Sequence, residues 1–186
     1  MRAEHSWAFD IGCRQSLLDN IFLDMTLFQT DYWDMIEPVI NFLGTIQFQN
    51  YIRARIRGLE FSGESWWWRR RLGLNLNFSW IDPMDIEHDI TLPYRPRFFG
   101  SVIGIFNLGP ASLQAEYRYA SRIDQVQINP LDERVPLKLL NFRAEVKWKM
   151  LTLQLALNNA LNYNYTQVER RMAEIRNGSV GLLVDF

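Results

Sequence analysis

The sequence predicts an all-β protein, an antiparallel meander of about nine transmembrane strands. Apolar and polar residues alternate with a period of two along most of the chain. The connections between these stretches are alternately short and long, and aromatic residues collect at both ends of the apolar face. A membrane-spanning β-barrel shows all three features, because its wall alternates lipid-facing and interior residues between aromatic girdles.

Composition narrows the classes of function. The chain has 186 residues and a net charge of −1, so it has no general electrostatic attraction to nucleic acid. The single cysteine, Cys13, excludes an internal disulfide. No apolar run approaches the roughly 18 residues of a membrane-spanning helix. The first ten residues, "MRAEHSWAFD", also lack the basic-then-apolar layout of a secretory signal.

The clearest strand is "LGLNLNFSW", residues 72–80. Its odd positions carry Gly, Asn and Ser, whereas its even positions carry only Leu, Phe and Trp. Two stretches alternate less cleanly, 21–35 and 97–108, and the second is apolar on both faces. The remaining predicted strands lie at 7–14, 52–61, 112–120, 141–150, 151–158 and 179–186. Several approach the 9–11 residues that a tilted strand needs to cross a bilayer.

The connections predict a sheet with two unlike ends. The short turns are expected near 17–20, 69–71, 108–111 and 150. The long loops, rich in Asp, Asn, Pro and Arg, are expected near 36–50, 83–95, 121–136 and 160–177. Every long loop then falls at one end, as in bacterial outer-membrane barrels with short periplasmic turns and long extracellular loops.

The apolar face is expected to carry no Asp, Glu, Lys or Arg and to meet lipid. Aromatic residues near both ends of this face predict two membrane girdles. The predicted girdle residues are Trp66, Trp67, Trp68, Trp80, Tyr117, Tyr119 and Trp148. Arg69–Arg71 then form a hairpin turn in water or among lipid headgroups.

The opposite face predicts the interior of the barrel. In 52–57 three arginines alternate with Ile52, Ala54 and Ile56, which are expected to face outward. A bulge near Gly58 is expected, because the outward set changes parity there. The candidate lumen-lining residues are Arg53, Arg55, Arg57, Glu116, Arg118, Arg143 and Glu145. Phe99, Ile103 and Ile105 are also expected to point inward, against a plug.

Four motifs, in the same order along the chain, resemble one family. "LFQTDYWDMI" (27–36) resembles a strand with an aromatic residue, a short spacer and a closing apolar residue, and "ARIRGLEFSG" (54–63) is similar to a small–x–apolar–x–Gly–x–Glu segment. "LQLALNNALNYNY" (153–165) resembles a penultimate strand that runs into an Asn-Leu-x-Asn–x–Tyr motif. Phe186 resembles the terminal signal read by the barrel-assembly machinery. From Glu4 onwards the chain resembles the C-terminal barrel of TonB-dependent outer-membrane receptors.

This resemblance implies a role in transport. Residues 1–186 would form the C-terminal part of a barrel of the 22-stranded, plugged type. The family's plug domain and N-terminal strands have no counterpart, and Ala3 stands where the family usually has Pro before Glu4. An odd number of strands points the same way, because single-chain bacterial barrels have even numbers. The implied function is import of a ferric siderophore, haem or cobalamin across the outer membrane of a Gram-negative bacterium.

The resemblance also implies the partners. They are outer-membrane lipid, the remainder of the receptor with its plug and N-terminal strands, the TonB complex and the barrel-assembly machinery. No nucleic acid and no cofactor are expected, and the protein is expected not to be an enzyme.

Other functions stay open at this point. A small complete barrel with a structural or adhesive role needs both termini in the periplasm and a signal peptide, and the sequence shows neither. A barrel enzyme needs a catalytic pair, yet His5 and Ser6 are adjacent in a strand and point to opposite faces. The acidic loop 82–90 contains His88 but lacks the ligand order of an EF-hand, so a solvated loop is expected there.

Overall fold

The computed structural model describes residues 2–40, 45–50, 53–126, 134–168 and 171–185. This part of the chain is built almost entirely of β-strands, and its helix is the single 3-10 turn Leu18–Asn20. No helix in these residues is long and apolar enough to span a membrane. The all-β prediction is confirmed.

Nine long strands form one antiparallel sheet. They are β1 (His5–Leu17), β2 (Ile21–Trp33), β5 (Arg53–Trp67), β6 (Leu72–Asp85), β8 (Phe98–Leu108), β9 (Ala111–Ala120), β10 (Leu137–Trp148), β11 (Leu151–Asn158) and β14 (Asn177–Val184). Each pairs with its neighbours along the chain in the order β1-β2-β5-β6-β8-β9-β10-β11-β14. The predicted nine-strand meander is therefore confirmed.

Short strands occupy the long loops. β3 (Ile36–Ile40) pairs with β4 (Ile46–Asn50), and β12 (Thr166–Val168) pairs with β13 (Arg171–Met172). β7 (Ile90–Thr91) adds to the end of β6. These strands all lie between the same ends of the long strands, whereas the opposite ends are joined by 18–20, 68–71, 109–110 and 149–150. The predicted segregation of short turns from long loops is confirmed.

Register fixes which residues share a face, because paired residues in an antiparallel sheet point to the same side. We call the side of Leu72, Leu74 and Leu76 the apolar face, and the side of Asn75 and Asn77 the polar face. The two faces are continuous from β1 to β14.

The bulge expected at Gly58 is absent. Gly58 pairs with Phe28 on one side and with Ile81 on the other, and the register does not shift anywhere along β5. An added Cβ at Gly58 would lie 2.3 Å from the Trp80 backbone oxygen and 2.8 Å from the ring of Phe28, so only glycine fits at this position. The prediction of a parity change was wrong, because Leu59 and Phe61 already lie in register with Leu27 and Phe78 on the apolar face, with arginine side chains continuing that face.

The small hydrophobic core lies at the long-loop end. Met35, Ala54 and Leu92 are buried there, with Tyr32 and Ile56 packed against them. Ala54 and Ile56 lie on the polar face, so their predicted outward orientation was wrong, and Ile52 lies outside the described residues. Elsewhere the apolar side chains are mostly exposed on the apolar face. Among the residues that the structure describes, the apolar side of the sheet therefore carries no hydrophobic core.

Candidate functional site: the polar face and the two rims

The polar face surrounds a cavity of about 580 Å³. Residues from seven strands, β1, β2, β5, β6, β8, β9 and β10, border it, which requires the sheet to curve around this face. The polar residues at the cavity are Arg14, Asp24, Thr26, Glu60, Ser62, Asn77, Ser79, Ser101 and Arg118. Arg14 donates from Nε to Asp24 Oδ2 at 2.7 Å. The concave side is therefore the polar and charged side.

Four of the predicted lumen residues lie on this polar face. Glu116 pairs with Ile103 and Asn141, and Arg143 pairs with Gln114 and Ala156, all opposite the apolar set. Further polar contacts join neighbouring strands on this side. Asn141 Nδ2 donates to Glu116 Oε2 at 3.0 Å, and Gln154 Nε2 donates to Glu145 Oε2 at 2.9 Å. Arg118 borders the cavity itself. Their lining of a lumen in a closed barrel stays a prediction.

The three arginines of β5 are on the other side. Arg55 pairs with Asp31, and Arg57 pairs with Asp82. Both arginines lie on the same side of β5 as Leu59. Because the register is unbroken, Arg53, Arg55 and Arg57 lie on the apolar face, and their prediction as lumen residues was wrong. The prediction that this face carries no charge was wrong for the same reason.

These charges are confined to the long-loop rim. Arg55 Nε donates to Asp31 Oδ1 at 2.8 Å, and Arg57 Nη2 lies 2.9 Å from Asp82 Oδ2. Arg97 Nη1 lies 3.6 Å from the other oxygen of Asp82. All these groups lie on the loop side of the pair Leu59–Trp80. They form a series of ion pairs between Trp80 and the long loops, at the rim where charged groups are expected to be solvated.

Six of the seven predicted girdle residues are placed toward the apolar face. Trp67, Trp80, Tyr117, Tyr119 and Trp148 follow its register, and the Trp68 ring stacks on Phe106 of this face with the centroids 6.5 Å apart. Sequence analysis missed three further aromatic residues on the apolar face, beside Trp80 and Tyr119 at its long-loop end. Phe61, Phe78 and Phe98 continue the row toward Tyr119, at centroid separations of 5.1, 6.1 and 5.8 Å. That this aromatic set lies at a lipid interface stays a prediction.

Trp66 is the exception. It pairs with Gly73, and its ring covers that glycine on the polar face. Its indole Nε1 donates to Glu64, and the Arg70 guanidinium lies 5.3 Å from its ring centroid. Consecutive strand residues point to opposite sides, so Trp66 and Trp67 cannot both face outward. The prediction of Trp66 as a girdle residue was wrong.

The family becomes clear from comparison with known proteins. A model of the family described as TonB dependent receptor-like, beta-barrel matches residues 1–160, which is more than half of the chain. This chain belongs to the TonB-dependent receptor β-barrel family. None of the curated proteins matches it in sequence.

Solved structures of a copper transporter and of two ferric-ligand receptors share the fold. The copper transporter OprC matches with a TM-score of 0.84 at 13% identity, over 98% of this chain and 32% of its own. The ferric enterobactin receptor PfeA of Pseudomonas aeruginosa matches with a TM-score of 0.80 at 16% identity, over 100% of this chain and 32% of its own. The ferric-catecholate import receptor Fiu of E. coli matches with a TM-score of 0.75 at 18% identity, over 98% and 28%. The chain thus spans about a third of the length of these proteins.

The family-like motif at 153–165 has a structural role in this receptor chain. Asn159 is 4% exposed. Its backbone N–H donates to Asn141 Oδ1 at 2.9 Å, and its Nδ2 donates to the carbonyls of Tyr163 and Glu174 at 2.9 and 3.2 Å. Its Oδ1 accepts the backbone N–H of Tyr163 at 2.8 Å. One amide therefore joins both ends of the last long loop.

The acidic loop at 82–90 folds around one carboxylate. Asp85 is fully buried and accepts the backbone N–H groups of Glu87 and His88 on Oδ1. Its Oδ2 lies 2.7 Å from His88 Nδ1, and this hydrogen bond raises the pKa of His88 above its usual range. No group of three or more metal-ligating side chains is found in the described ranges. Phe186, the predicted assembly signal, lies outside those ranges.

Proposed function

We propose that this chain is the C-terminal part of the wall of an outer-membrane receptor that imports a scarce, bulky nutrient with energy supplied through TonB. The observation that carries the proposal is the nine-strand meander itself, with a polar concave face and an apolar face whose side chains are mostly exposed. A soluble barrel would bury its apolar face. Here that face is on the convex side, where a bilayer supplies the missing apolar partner.

The rest of the receptor is the first proposed partner. Within the described residues, β1 pairs only with β2, and β14 pairs only with β11. Each edge strand offers N–H and C=O groups that need partners, and a bilayer interior supplies none. Further strands of the same receptor would satisfy both edges and close the barrel around a plug.

The substrate class is proposed by similarity to the solved structures. Their names describe a copper transporter, a ferric enterobactin receptor and a ferric-catecholate import receptor. For this receptor we propose a ferric siderophore, haem or cobalamin as the substrate class. The residues proposed to line the lumen are Glu116, Arg118, Arg143 and Glu145, which lie on the polar face.

The location and the other partners follow from the family. We place the chain in the outer membrane of a Gram-negative bacterium, with the short turns in the periplasm and the long loops outside. The TonB complex would act on other parts of the receptor, and the barrel-assembly machinery would recognise the end of the chain at Phe186. The family consists of receptors rather than enzymes, and we propose no catalytic role.

An uptake assay tests the function. The intact receptor is expressed in a strain that lacks its own receptors, and radiolabelled ferric siderophores, haem and corrinoids are offered in turn. We expect uptake of one class, and we expect that uptake to disappear when TonB is deleted. Uptake that persists without TonB, or no uptake of any class by a correctly folded receptor, would refute the proposal.

A further inference from the structure

An apolar groove crosses the apolar face between β6 and β11. Its volume is about 490 Å³, within the roughly 300–1,000 Å³ range of small-molecule sites. Its floor is formed by small residues of three adjacent strands, Gly104, Ala115 and Ala144. Larger apolar residues of the same three strands and of β6 and β11 form its walls: Leu72, Phe106, Leu113, Phe142, Leu155 and Leu157.

The floor of the groove is open at Gly104. An added Cβ at this glycine would meet no atom within 4 Å. By contrast, an added Cβ at Gly73, in the neighbouring strand but on the polar face, would lie 2.7 Å from the Trp66 ring. The groove is therefore unfilled surface that the side chains of this chain do not close. On a wall that faces a membrane, the apolar group available to occupy this groove is a lipid acyl chain.

A cationic group lies at the short-turn end of the same groove. The Trp68 ring stacks on Phe106, a wall residue, and the Arg71 guanidinium lies 5.8 Å from the Trp68 ring centroid. The backbone holds this turn in place, because Asn107 donates its N–H to the Arg71 carbonyl at 2.7 Å. Arg71 also directly precedes Leu72 in the groove wall. The groove, the Trp68 indole and the Arg71 guanidinium therefore adjoin one another.

In the part of the chain that the structure describes, the positive charge at this end has no carboxylate partner. Arg69, Arg70 and Arg71 follow one another in the turn, and in the described ranges none of them forms an ion pair with a carboxylate. Lys149, in the 149–150 turn at the same end of the sheet, adds a further positive charge. Guanidinium groups recognise phosphate through paired, charge-assisted hydrogen bonds. The rim thus selects an anionic headgroup.

From this arrangement we propose that the receptor binds one anionic glycerophospholipid of the short-turn leaflet, with an acyl chain in the groove and the phosphate at Arg71. The site rests on the proposed function in one respect only, the placement of the apolar face in a bilayer. Trp68 would lie at the junction of chain and headgroup, where indole rings are favoured. This is a site for a bound lipid and is separate from the polar face proposed for transport.

Native mass spectrometry of the intact, detergent-solubilised receptor tests the site. The probes are dioleoyl-phosphatidylglycerol, which is anionic, and dioleoyl-phosphatidylcholine, which has the same tails and no net charge. We expect one phosphatidylglycerol to bind at least tenfold more tightly than phosphatidylcholine. Equal affinity for the two lipids would overturn the proposal.

Two variants separate the groove from the headgroup contact. Gly104→Leu fills the floor and is expected to weaken both lipids at least tenfold, with Gly104→Ala intermediate. Arg71→Gln is expected to remove the preference for phosphatidylglycerol and to leave phosphatidylcholine binding unchanged. Unchanged binding by Gly104→Leu would overturn the proposal.

A control variant and a competitor test whether lipid binding is specific to this groove. Cys13→Leu adds a similar side chain to the exposed apolar face of β1, away from the groove, and should leave lipid binding unchanged. An equal loss in Cys13→Leu would overturn the proposal, as would competition by glycerol phosphate at the lipid's own concentration. A receptor that binds the lipid at this groove yet shows no TonB-dependent uptake would refute the transport proposal alone.

Discussion

At the scale of single residues, Asn159 shows how one buried amide can hold a long loop. Both polar atoms of its side chain are bonded, and its backbone N–H bonds a second buried amide, Asn141. The bonds reach Tyr163 near the start of the loop and Glu174 near its end. Removing the side chain leaves several backbone groups without a partner.

Asn159→Ala is expected to destabilise the receptor by about 2–3 kcal/mol, because buried polar groups left unsatisfied cost about 1–3 kcal/mol. Urea unfolding of the intact receptor in detergent measures this value. The matched control is Asn164→Ala, an exposed asparagine of the same loop, which should change stability by less than about 0.5 kcal/mol. Equal effects of the two substitutions would contradict the anchoring role of Asn159.

The stability of the loop around His88 is expected to depend on pH. Its pKa is raised by the hydrogen bond to Asp85, so protonated His88 is favoured in the folded loop. The added loop stability is fully present below about pH 6.5, the usual histidine pKa, and is lost as the pH rises through the raised value. Asp85→Asn should lower the pKa of His88, as measured by NMR titration, and should make protease cleavage of residues 86–89 independent of pH. Asp19→Asn, at the opposite end of the sheet, should change neither result.

At the scale of strands, cross-strand pairs of glycine and an aromatic residue fix the polar face. Trp66 covers Gly73, and Phe28 covers Gly58. Such pairs stabilise neighbouring strands because the ring covers backbone that glycine leaves bare. The pair with Gly73 also accounts for the position of Trp66 on the polar face.

Gly73→Ala is expected to destabilise the sheet by about 1–3 kcal/mol, the usual cost of overpacking. The new Cβ would lie 2.7 Å from the Trp66 ring, which cannot move freely between Glu64 and Arg70. Gly104→Ala, on β8, introduces the same methyl group into open space and should not destabilise the protein. Thermal unfolding of the two variants in detergent decides the point, and a loss at Gly104 as large as that at Gly73 would refute it.

At the scale of the whole molecule, the register places each strand side chain on the apolar face or on the polar face. Leu155 pairs with Ala144 and Val180 on the apolar face, whereas Gln154 pairs with Glu145 on the polar face. Leu155→Arg should cost roughly 2–4 kcal/mol in a membrane-embedded barrel, and Gln154→Arg far less. Unfolding of the intact receptor in lipid vesicles measures both, and equal costs would mean that the faces are wrongly assigned.

The open edges predict the behaviour of the isolated chain. All 13 residues of β1 are exposed, and its free side carries N–H and C=O groups that are templates for aggregation in water. The exposed apolar face adds to this tendency. Residues 1–186 alone should therefore elute from size-exclusion chromatography in plain buffer as aggregates. Co-refolding in detergent with the further receptor strands proposed above should yield a protease-resistant barrel, and a sharp monomeric peak in buffer without them would contradict the membrane assignment.

The sequence by itself determined the nine strands, their order and the unlike ends of the sheet. Period-two alternation and turn lengths are local properties, and a meander pairs each strand with its neighbour in sequence, so no long-range information was needed. The same alternation placed Glu116, Arg118, Arg143 and Glu145 on the polar face before any register was known. The resemblance of the motifs to a known family added the expectation that these strands belong to a larger barrel.

Only the tertiary structure decided the orientation of β5 and of the side chains at both rims. The residues 53–57 alternate arginine with apolar residues, so their pattern alone favours the opposite orientation from the one observed. The neighbouring strands overrule it, because Leu59 and Phe61 must join Leu27, Met25 and Phe78 on the apolar face. With the register unbroken, the arginines follow onto that face and find Asp31 and Asp82 beyond the aromatic row. Burial of the longer apolar part of β5 therefore fixes the orientation of its shorter charged part.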